Sequence, residues 1–426
     1  MHADAPPERA RPPRRRRFVI VLLVALALLA VALFWASRPP RVAGLAMRQL
    51  GGALGLEISA RGVSEYTLRG SPSLTLREVT AREPGSATPL LRAERIHVRL
   101  PWRTLRAPDG DLVLERVELD APQLDLPALQ RWLARRPPGP KRAFAITDGL
   151  AVEDGMLRGD GWRIERIALD LPRWEPNAPL EVAFDGRYVA QGLATDLDFD
   201  LALSRPALPA MLQLRGRARI ETPTWTMPAT FLLSGPLQEA PGGLQLARAR
   251  FGLAARHQMD GSAVPFRLGL HGPLRLREGV LALQPATMTL RPQPVAASAP
   301  VPSLDARGAL ALGERLVLRL DGVLAAWPDA WPALPAPLAA SRAPLPFALR
   351  YAGASDLGDV ATLQLRRERT TFDGRFRLPA ILEWVDAGSR GSPLPPLDGR
   401  LATPRLEIAG ATLEGVQIEL HDEAVP

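Results

Sequence analysis

The stretch ATDLDFDLALSR, residues 194–205, alternates apolar and polar side chains over most of its length. In an extended chain, successive side chains point to opposite faces, so Leu197, Phe199, Leu201 and Leu203 share one face. The three aspartates interleaved with them occupy the other face. Strict alternation over this length predicts a β-strand that buries one face only.

The same alternation recurs along the chain. Leu74 pairs with Leu76 in SLTLREV, and RIHVRL sets Ile96, Val98 and Leu100 on one side. The pattern of DLVLERVELD begins with Leu112 and Leu114 and then shifts by one residue to Val117 and Leu119. This shift indicates a bend at Glu115-Arg116.

Turns separate these stretches, because the chain contains 44 prolines and 35 glycines. The best soluble helix is PALQRWLARR, residues 127–136, which Pro127 opens at its first turn. We therefore predict a mainly β protein with few short helices, whose strands form antiparallel sheet. The pattern excludes parallel βαβ architecture, since helices do not alternate with the strands.

The composition narrows the classes of function. The 426 residues are 46% hydrophobic, which suits a folded chain. Because cysteine is absent, disulfides and thiol chemistry are excluded. The net charge is +8, but the tail to Arg17 carries about half of it. The remainder is spread too thinly to indicate a nucleic-acid partner.

The segment RRRRFVIVLLVALALLAVALFWASRPP, residues 14–40, is the strongest single signal. Its apolar run from Phe18 to Ala36 is long enough for a helix to cross the ~30 Å hydrocarbon core. The preceding arginines predict a cytoplasmic N-terminus and an exported chain from Ser37 onward. A cleaved signal peptide is the alternative, but the apolar run is longer than is usual for one.

Neither catalysis nor metal binding is predicted. Asp196, Asp198 and Asp200 resemble the start of a calcium loop, but Leu201 stands where that loop requires glycine. The five histidines lack metal-ligand spacing, and the chain shows neither the H-E-x-x-H nor the G-x-S-x-G motif. His97 lies between two apolar residues of one face, so we expect its side chain on the opposite face. The sequence predicts no enzyme, no cofactor and no catalytic residue.

The pattern divides the chain into five parts. They are a basic tail (1–17), a transmembrane anchor (18–36), an N-terminal β unit (37–134), a middle β region (143–291) and a C-terminal β region (305–426). Stretches rich in proline lie between the β regions, and another lies at 327–346; we interpret them as loops or linkers.

The N-terminal arrangement resembles the AsmA-like family. A basic tail, one anchor and a short helix ending near GLEIS precede SPSLTLREVTA (71–81). LRAERIHVRLPWRTLRAPDGDLVLERVELDAPQLDLPALQRWL (91–133) is similar to the next unit of that family, and PLDGRLATPRLEIAGATLEGVQIEL (396–420) to its closing strands. The resemblance implies a chorein-like N-terminal unit and an elongated, curled β-groove standing on the inner membrane of a Gram-negative cell.

The resemblance also implies phospholipid transport or envelope assembly, with phospholipid acyl chains in the groove and an outer-membrane or periplasmic protein partner. Most of the chain would then be periplasmic. The candidate groove residues are Leu74, Leu76, Ile96, Val98, Leu100, Leu112, Leu114, Leu197, Phe199, Leu201 and Leu203.

Two alternatives remain open on the residues alone. The apolar faces could fill an ordinary sandwich core instead of lining a groove. Functionally, the chain could be a structural or adaptor subunit of a secretion or envelope machine. The N subunit of the type II secretion system has the same plan of an anchor followed by exported β-structure. One continuous apolar stripe would favour lipid transport, and two closed cores would favour the adaptor.

Overall fold

The computed structural model describes residues 55–422 except 62–64, 68–69, 107–110, 136–143, 260–261, 278, 294–300, 329–330, 332–333, 335, 340, 342, 355–356, 388–394 and 409–410. The basic tail and the predicted anchor at 18–36 lie outside the described residues. Among the residues described, no helix is long and apolar enough to cross a membrane.

The N-terminal part combines short strands with two helices. The strands are β1 (Glu57–Ala60), β2 (Glu65–Thr67), β3 (Ser73–Arg82), β4 (Leu91–Arg99), β5 (Leu112–Leu114), β6 (Arg116–Asp120), β7 (Gln123–Asp125), β8 (Phe144–Ile146) and β9 (Leu150–Arg158). Helix α1 spans Trp102–Arg106, and α2 spans Leu126–Arg135. The predicted helix at 127–136 is thus confirmed to within a residue.

The rest of the chain is a long meander in which each strand from β9 onward pairs antiparallel with the next. Its strands are β10 (Trp162–Leu171), β11 (Leu180–Ala190), β12 (Leu193–Leu203), β13 (Ala210–Glu221), β14 (Thr226–Ala240), β15 (Gly243–Met259), β16 (Ser262–Arg277), β17 (Val280–Pro292), β18 (Leu304–Leu312), β19 (Leu316–Leu324), β20 (Leu345–Gly353), β21 (Val360–Arg367), β22 (Thr370–Arg377), β23 (Leu397–Ile408) and β24 (Ala411–Leu420). Helices α3 (Ala336–Ala339) and α4 (Leu378–Ala387) interrupt it.

The predicted mainly β fold with few short helices is confirmed. One sheet contains 22 of the described strands, and β5 and β8 form a separate two-stranded sheet. The pairing of β17 with β18 carries the main sheet across the proline-rich stretch at 291–303. The bend expected at Glu115-Arg116 is the point where the chain passes from the small sheet into the main one.

The prediction of purely antiparallel pairing without parallel βαβ units was wrong in the N-terminal part, where β5 also pairs parallel with β8 in the small sheet. Strands β6 and β7 pair parallel with β9, and α2 lies in the connection between them. The Asp125 carboxylate caps α2 by accepting a hydrogen bond from the Ala128 N–H at 2.8 Å. The helix carries the chain back across the sheet, and this crossover lets β9 run in the same direction as β6 and β7.

Three strands near this crossover contain a residue with a positive φ: Glu78 in β3, Asp154 in β9 and Arg166 in β10. Each one interrupts the regular alternation of its strand. In β3, Leu76 and Val79 accordingly share one apolar cluster although they are three residues apart. These irregularities keep one face of the sheet apolar where a regular strand would have changed face.

Side chains cover this apolar face at both ends of the sheet. At the N-terminal end, Ala128 and Trp132 of α2 pack on Leu56, Ala81 and Leu90. At the C-terminal end, Leu338 of α3 is 0% exposed and packs in one cluster with buried residues of β18–β21 and β23.

Arg367 holds the C-terminal cover in place. Its guanidinium donates hydrogen bonds to the backbone carbonyls of Leu338 and Ser341, and to that of Ala343 at 2.6 Å. The stretch interpreted as a loop at 327–346 therefore contributes a fully buried side chain to the C-terminal core.

Candidate functional site

One row of directly paired residues crosses the main sheet from β3 to β20. All its members are apolar side chains except one glycine. The row consists of Leu76, Ile96, Leu119, Val152, Leu169, Phe184, Phe199, Gly216, Phe231, Leu253, Leu268, Leu290, Leu304, Leu324 and Leu345. Paired residues lie on the same face, so this central row is one continuous apolar stripe. At ~4.8 Å between strands, it extends about 65 Å along the sheet.

The exposure of the central row separates its ends from its middle. Leu76 at one end and Leu324 and Leu345 at the other are buried. Every member from Ile96 to Leu304 is half-exposed, although Ile96 and Leu304 also pack against the clusters at the two ends, so the open middle runs from Leu119 to Leu290. A side chain in the core of a β-sandwich would be fully covered by the opposing sheet. The middle of the row is therefore an open apolar surface, whereas its two ends belong to closed cores.

Two phenylalanines show how this surface is built. The rings of Phe184 and Phe199 stack with their centroids 4.6 Å apart and their planes 19° from parallel. A Cβ added to Gly186 would lie 3.0 Å from Cζ of Phe184, so that ring extends along the sheet over a glycine. The ring of Phe372 lies over Gly374 in the same way. Rings in this orientation form a flat apolar floor.

The structure places most of the predicted groove residues on this face. Leu76, Ile96 and Phe199 belong to the central row itself. Its flanking rows contain Leu74 paired with Val98, Leu201 paired with Val182 and Leu214, Leu203 paired with Leu180 and Leu212, and Leu197 paired with Gly186 and Ala218.

Three predicted groove residues lie elsewhere. Leu112 and Leu114 pair with β8 in the small sheet, so they do not join the central row. Leu112 is exposed there. Leu100 follows the end of β4, where its N–H donates to the Pro72 carbonyl at 2.8 Å. The change of phase at Glu115 was the sequence signal that separated Leu112 and Leu114 from the main sheet.

Sequence reasoning did not single out several members of the row, such as Phe184, Phe231, Leu253, Leu268 and Leu290. Phe184, Leu253, Leu268 and Leu290 alternate with polar or small residues as Phe199 does, so the period-2 signal was available for them. Phe231 is followed directly by Leu232 and Leu233, which obscure the alternation. The alternation within one strand does not reveal the register between strands, and it is the register that places these residues opposite one another.

The opposite face of β11–β13 is charged, and the aspartates of β12 pair with arginines. Asp196 accepts hydrogen bonds from Arg187 at 2.9 Å and Arg166 at 2.8 Å. Asp198 is paired with Arg217, and Asp200 with Arg215 at 3.5 Å. The described residues contain no group of three metal-ligating side chains. These carboxylates are members of cross-strand ion pairs on an exposed surface.

The same charged face contains a shallow cavity of about 480 Å³. Asp196, Asp198, Arg217, Arg219 and Arg256 are among its lining residues. Three aspartates and three arginines line the cavity, so their formal charges balance. These charged residues lie on the other side of the sheet from the central row, although Leu197 and Ala218 of a flanking row also border the cavity.

Two histidines are titratable groups near these faces. As expected, His97 lies on the charged face, where its Nδ1 is 2.9 Å from Oγ1 of Thr75. His257 lies beside the Trp225 ring, with ring centroids 5.3 Å apart. Burial lowers the pKa of both imidazoles.

We expect acid to destabilise the fold through His257. The folded protein takes up this proton less readily than the unfolded chain, so stability is lost as the pH falls below the ordinary histidine pKa of about 6.5. His257→Asn should reduce the loss of urea resistance between about pH 7.5 and 5.5. Because His97 is present in both proteins, the difference between their pH profiles of stability measures the contribution of His257. Identical pH profiles would contradict this assignment.

The fold and the central row define a protein built around one long β-sheet, with a half-exposed apolar stripe on one face and charged residues on the other. No protein-family model, curated protein or solved structure matches the chain.

Proposed function

We propose that this protein binds phospholipid acyl chains on the central row and serves in phospholipid transport or envelope assembly. The observation that carries the proposal is the half-exposed middle of the row, from Leu119 to Leu290. Water contact with so much apolar surface is unfavourable at about 25 cal/mol per Å². An apolar ligand would remove this cost, and an acyl chain has the required shape.

The length of the row supports a lipid over a compact ligand. The open middle, nine strand spacings from Leu119 to Leu290, is about 45 Å long, which is about three times the ~15 Å thickness of hydrocarbon in one leaflet of a bilayer. A lipid tail gains about 0.8 kcal/mol per buried CH₂ group, both in a membrane and on a comparable apolar surface. Movement along the row would then be nearly isoenergetic and would involve no chemical step.

The resemblance of residues 37–134 and 396–420 to the AsmA-like family points in the same direction. In this proposal, the segment 18–36 anchors the chain in the inner membrane with its N-terminus in the cytoplasm, and the sheet lies in the periplasm. The adaptor alternative predicts an apolar face closed into separate cores. The two covered ends fit that alternative, but the open middle favours lipid binding.

Site-specific photo-crosslinking in the full-length, membrane-bound protein tests the proposal. Benzoylphenylalanine replaces either Phe199, on the central row, or Ala202, on the charged face of the same strand. We expect irradiation to give phospholipid adducts at position 199 and at most traces at position 202, as measured by mass spectrometry. Equal yields at both positions, or adducts with protein only, would refute lipid binding by this face.

A further inference from the structure

An exposed apolar edge borders the central row at one end of β15–β18. Its members are Leu244, Leu276, Leu281 and Leu312, which are 38% to 47% exposed. They pair directly in that order, so they form one line across four strands. We call this line the leucine lip.

The leucine lip is continuous with the interior of the apolar face. Along β16, the residues on this face are Leu276, Leu274, Gly272, Leu270 and Leu268, with no polar side chain among them. Leu268 belongs to the central row. An unbroken apolar path thus leads from the edge of the sheet to its centre.

The opposite ends of the same strands differ. At that rim, the face ends in residues such as His257, Val264 and Pro292, and none of the described residues there is an exposed large apolar side chain. Among the described residues of β15–β18, the exposed apolar edge therefore lies at one rim only. Surface leucines scattered singly need no explanation, but four in a paired line with an apolar path behind them do.

The covered ends of the sheet make this rim the accessible approach. Helix α2 packs over the N-terminal end of the face, and the segment with Leu338 covers the C-terminal end. Cargo that moved in lengthwise would have to displace one of these covers. Cargo that crosses the leucine lip meets no such barrier.

We propose that the leucine lip inserts into a phospholipid bilayer and is the place where acyl chains pass sideways onto the central row. The inference rests on the proposed function and specifies where its ligand enters. Arg275 and Arg277 stand on either side of Leu276 in sequence and are exposed, so they lie at the same rim on the charged face of β16. Guanidinium groups at the rim next to an apolar edge suit the phosphate layer of a membrane surface.

Other charges accompany the leucine lip. Arg315 and Arg205 lie on the same rim, and so do Glu239 and Glu314. The excess of positive charge is small, so insertion of the leucines has to supply most of the attachment. Binding should accordingly depend more on the leucines than on the salt concentration.

The experiment follows the arrival of labelled lipid in the full-length protein. The protein is reconstituted in vesicles of phosphatidylcholine and phosphatidylglycerol, with benzoylphenylalanine at position 199. Vesicles containing radiolabelled phosphatidylglycerol are then added, and adduct formation is followed with time. Serine replaces all four leucines of the lip in the test variant. In the control variant, serine replaces four exposed apolar residues elsewhere: Leu232, Val323, Leu413 and Ile418.

We expect the lip variant to slow the appearance of labelled adduct by roughly tenfold or more, since each lost leucine weakens insertion. Its final yield should equal that of the wild type, because the central row is intact. The control variant should behave as the wild type does. An unchanged rate in the lip variant would overturn the lip while leaving lipid binding in place.

Failure of the proposed function would look different, since the wild type itself would then give no lipid adduct at position 199. A second measurement identifies what the lip touches. Benzoylphenylalanine at position 276 should give phospholipid adducts. A protein adduct in their place would show that the lip is a protein interface and would overturn the inference.

Discussion

Placing charged side chains on the apolar face at the central row should abolish lipid binding there. The double substitution Phe199→Asp and Leu201→Asp places two carboxylates on the apolar face of β12. Covering an unpaired carboxylate with acyl chains costs several kcal/mol, and each ~1.4 kcal/mol is a factor of ten in binding. With benzoylphenylalanine at Phe184, which is stacked on Phe199 in the wild type, we expect the phospholipid adduct to fall at least about tenfold.

The matched control adds the same charge to the other face. Gln213 and Thr230 are exposed on the charged face, and Thr230 lies opposite Arg217. Gln213→Asp with Thr230→Asp should therefore leave the adduct yield unchanged. A similar loss in both double variants would indicate a general effect of charge or misfolding. The milder pair Phe199→Ser and Leu201→Ser should give an intermediate yield if the face binds lipid.

Truncating the side chain that closes the C-terminal core should produce the largest change in stability. Leu338 is 0% exposed and packs among Leu320, Leu345 and Phe347. Leu338→Ala removes that packing and leaves a cavity, which costs about 3 kcal/mol at fully buried leucines. We expect a matching loss in urea resistance, followed by tryptophan fluorescence, because Trp327 packs against the same cluster.

Leu312→Ala is the control for this substitution, since Leu312 is 46% exposed. Its truncation should cost about 1 kcal/mol or less. If Leu338→Ala were as mild as Leu312→Ala, helix α3 would be loosely attached and the C-terminal end of the face would be open. The variant thus also tests whether the cover is a stable part of the fold.

Much of the fold could be read from local patterns. Alternation at Leu197–Leu203 and at Ile96–Val98 identified one-sided strands, and the shift of phase at Glu115 marked a real break between two sheets. These features depend on residues within a few positions of one another. The sequence of each strand therefore indicates which of its two faces is turned away from water.

Other features were not readable because they depend on distant residues. The parallel pairing of β6 with β9 requires α2 to return the chain across the sheet. The positive φ angles at Glu78, Asp154 and Arg166 interrupt the period-2 alternation from which strands are predicted. The proline-rich stretch 327–346 gave no sign that its Leu338 would be the most deeply buried leucine of the C-terminal core.

The sequence by itself determined that this protein is a series of one-sided strands with an apolar face and a charged face. Period-2 alternation is a local property, so it survives whatever the rest of the chain does. Only the tertiary structure decided that the apolar faces align into one row, covered at its ends and half-exposed between them. Alternation states which side of a strand leaves water, but register and long-range packing decide what, if anything, covers that side.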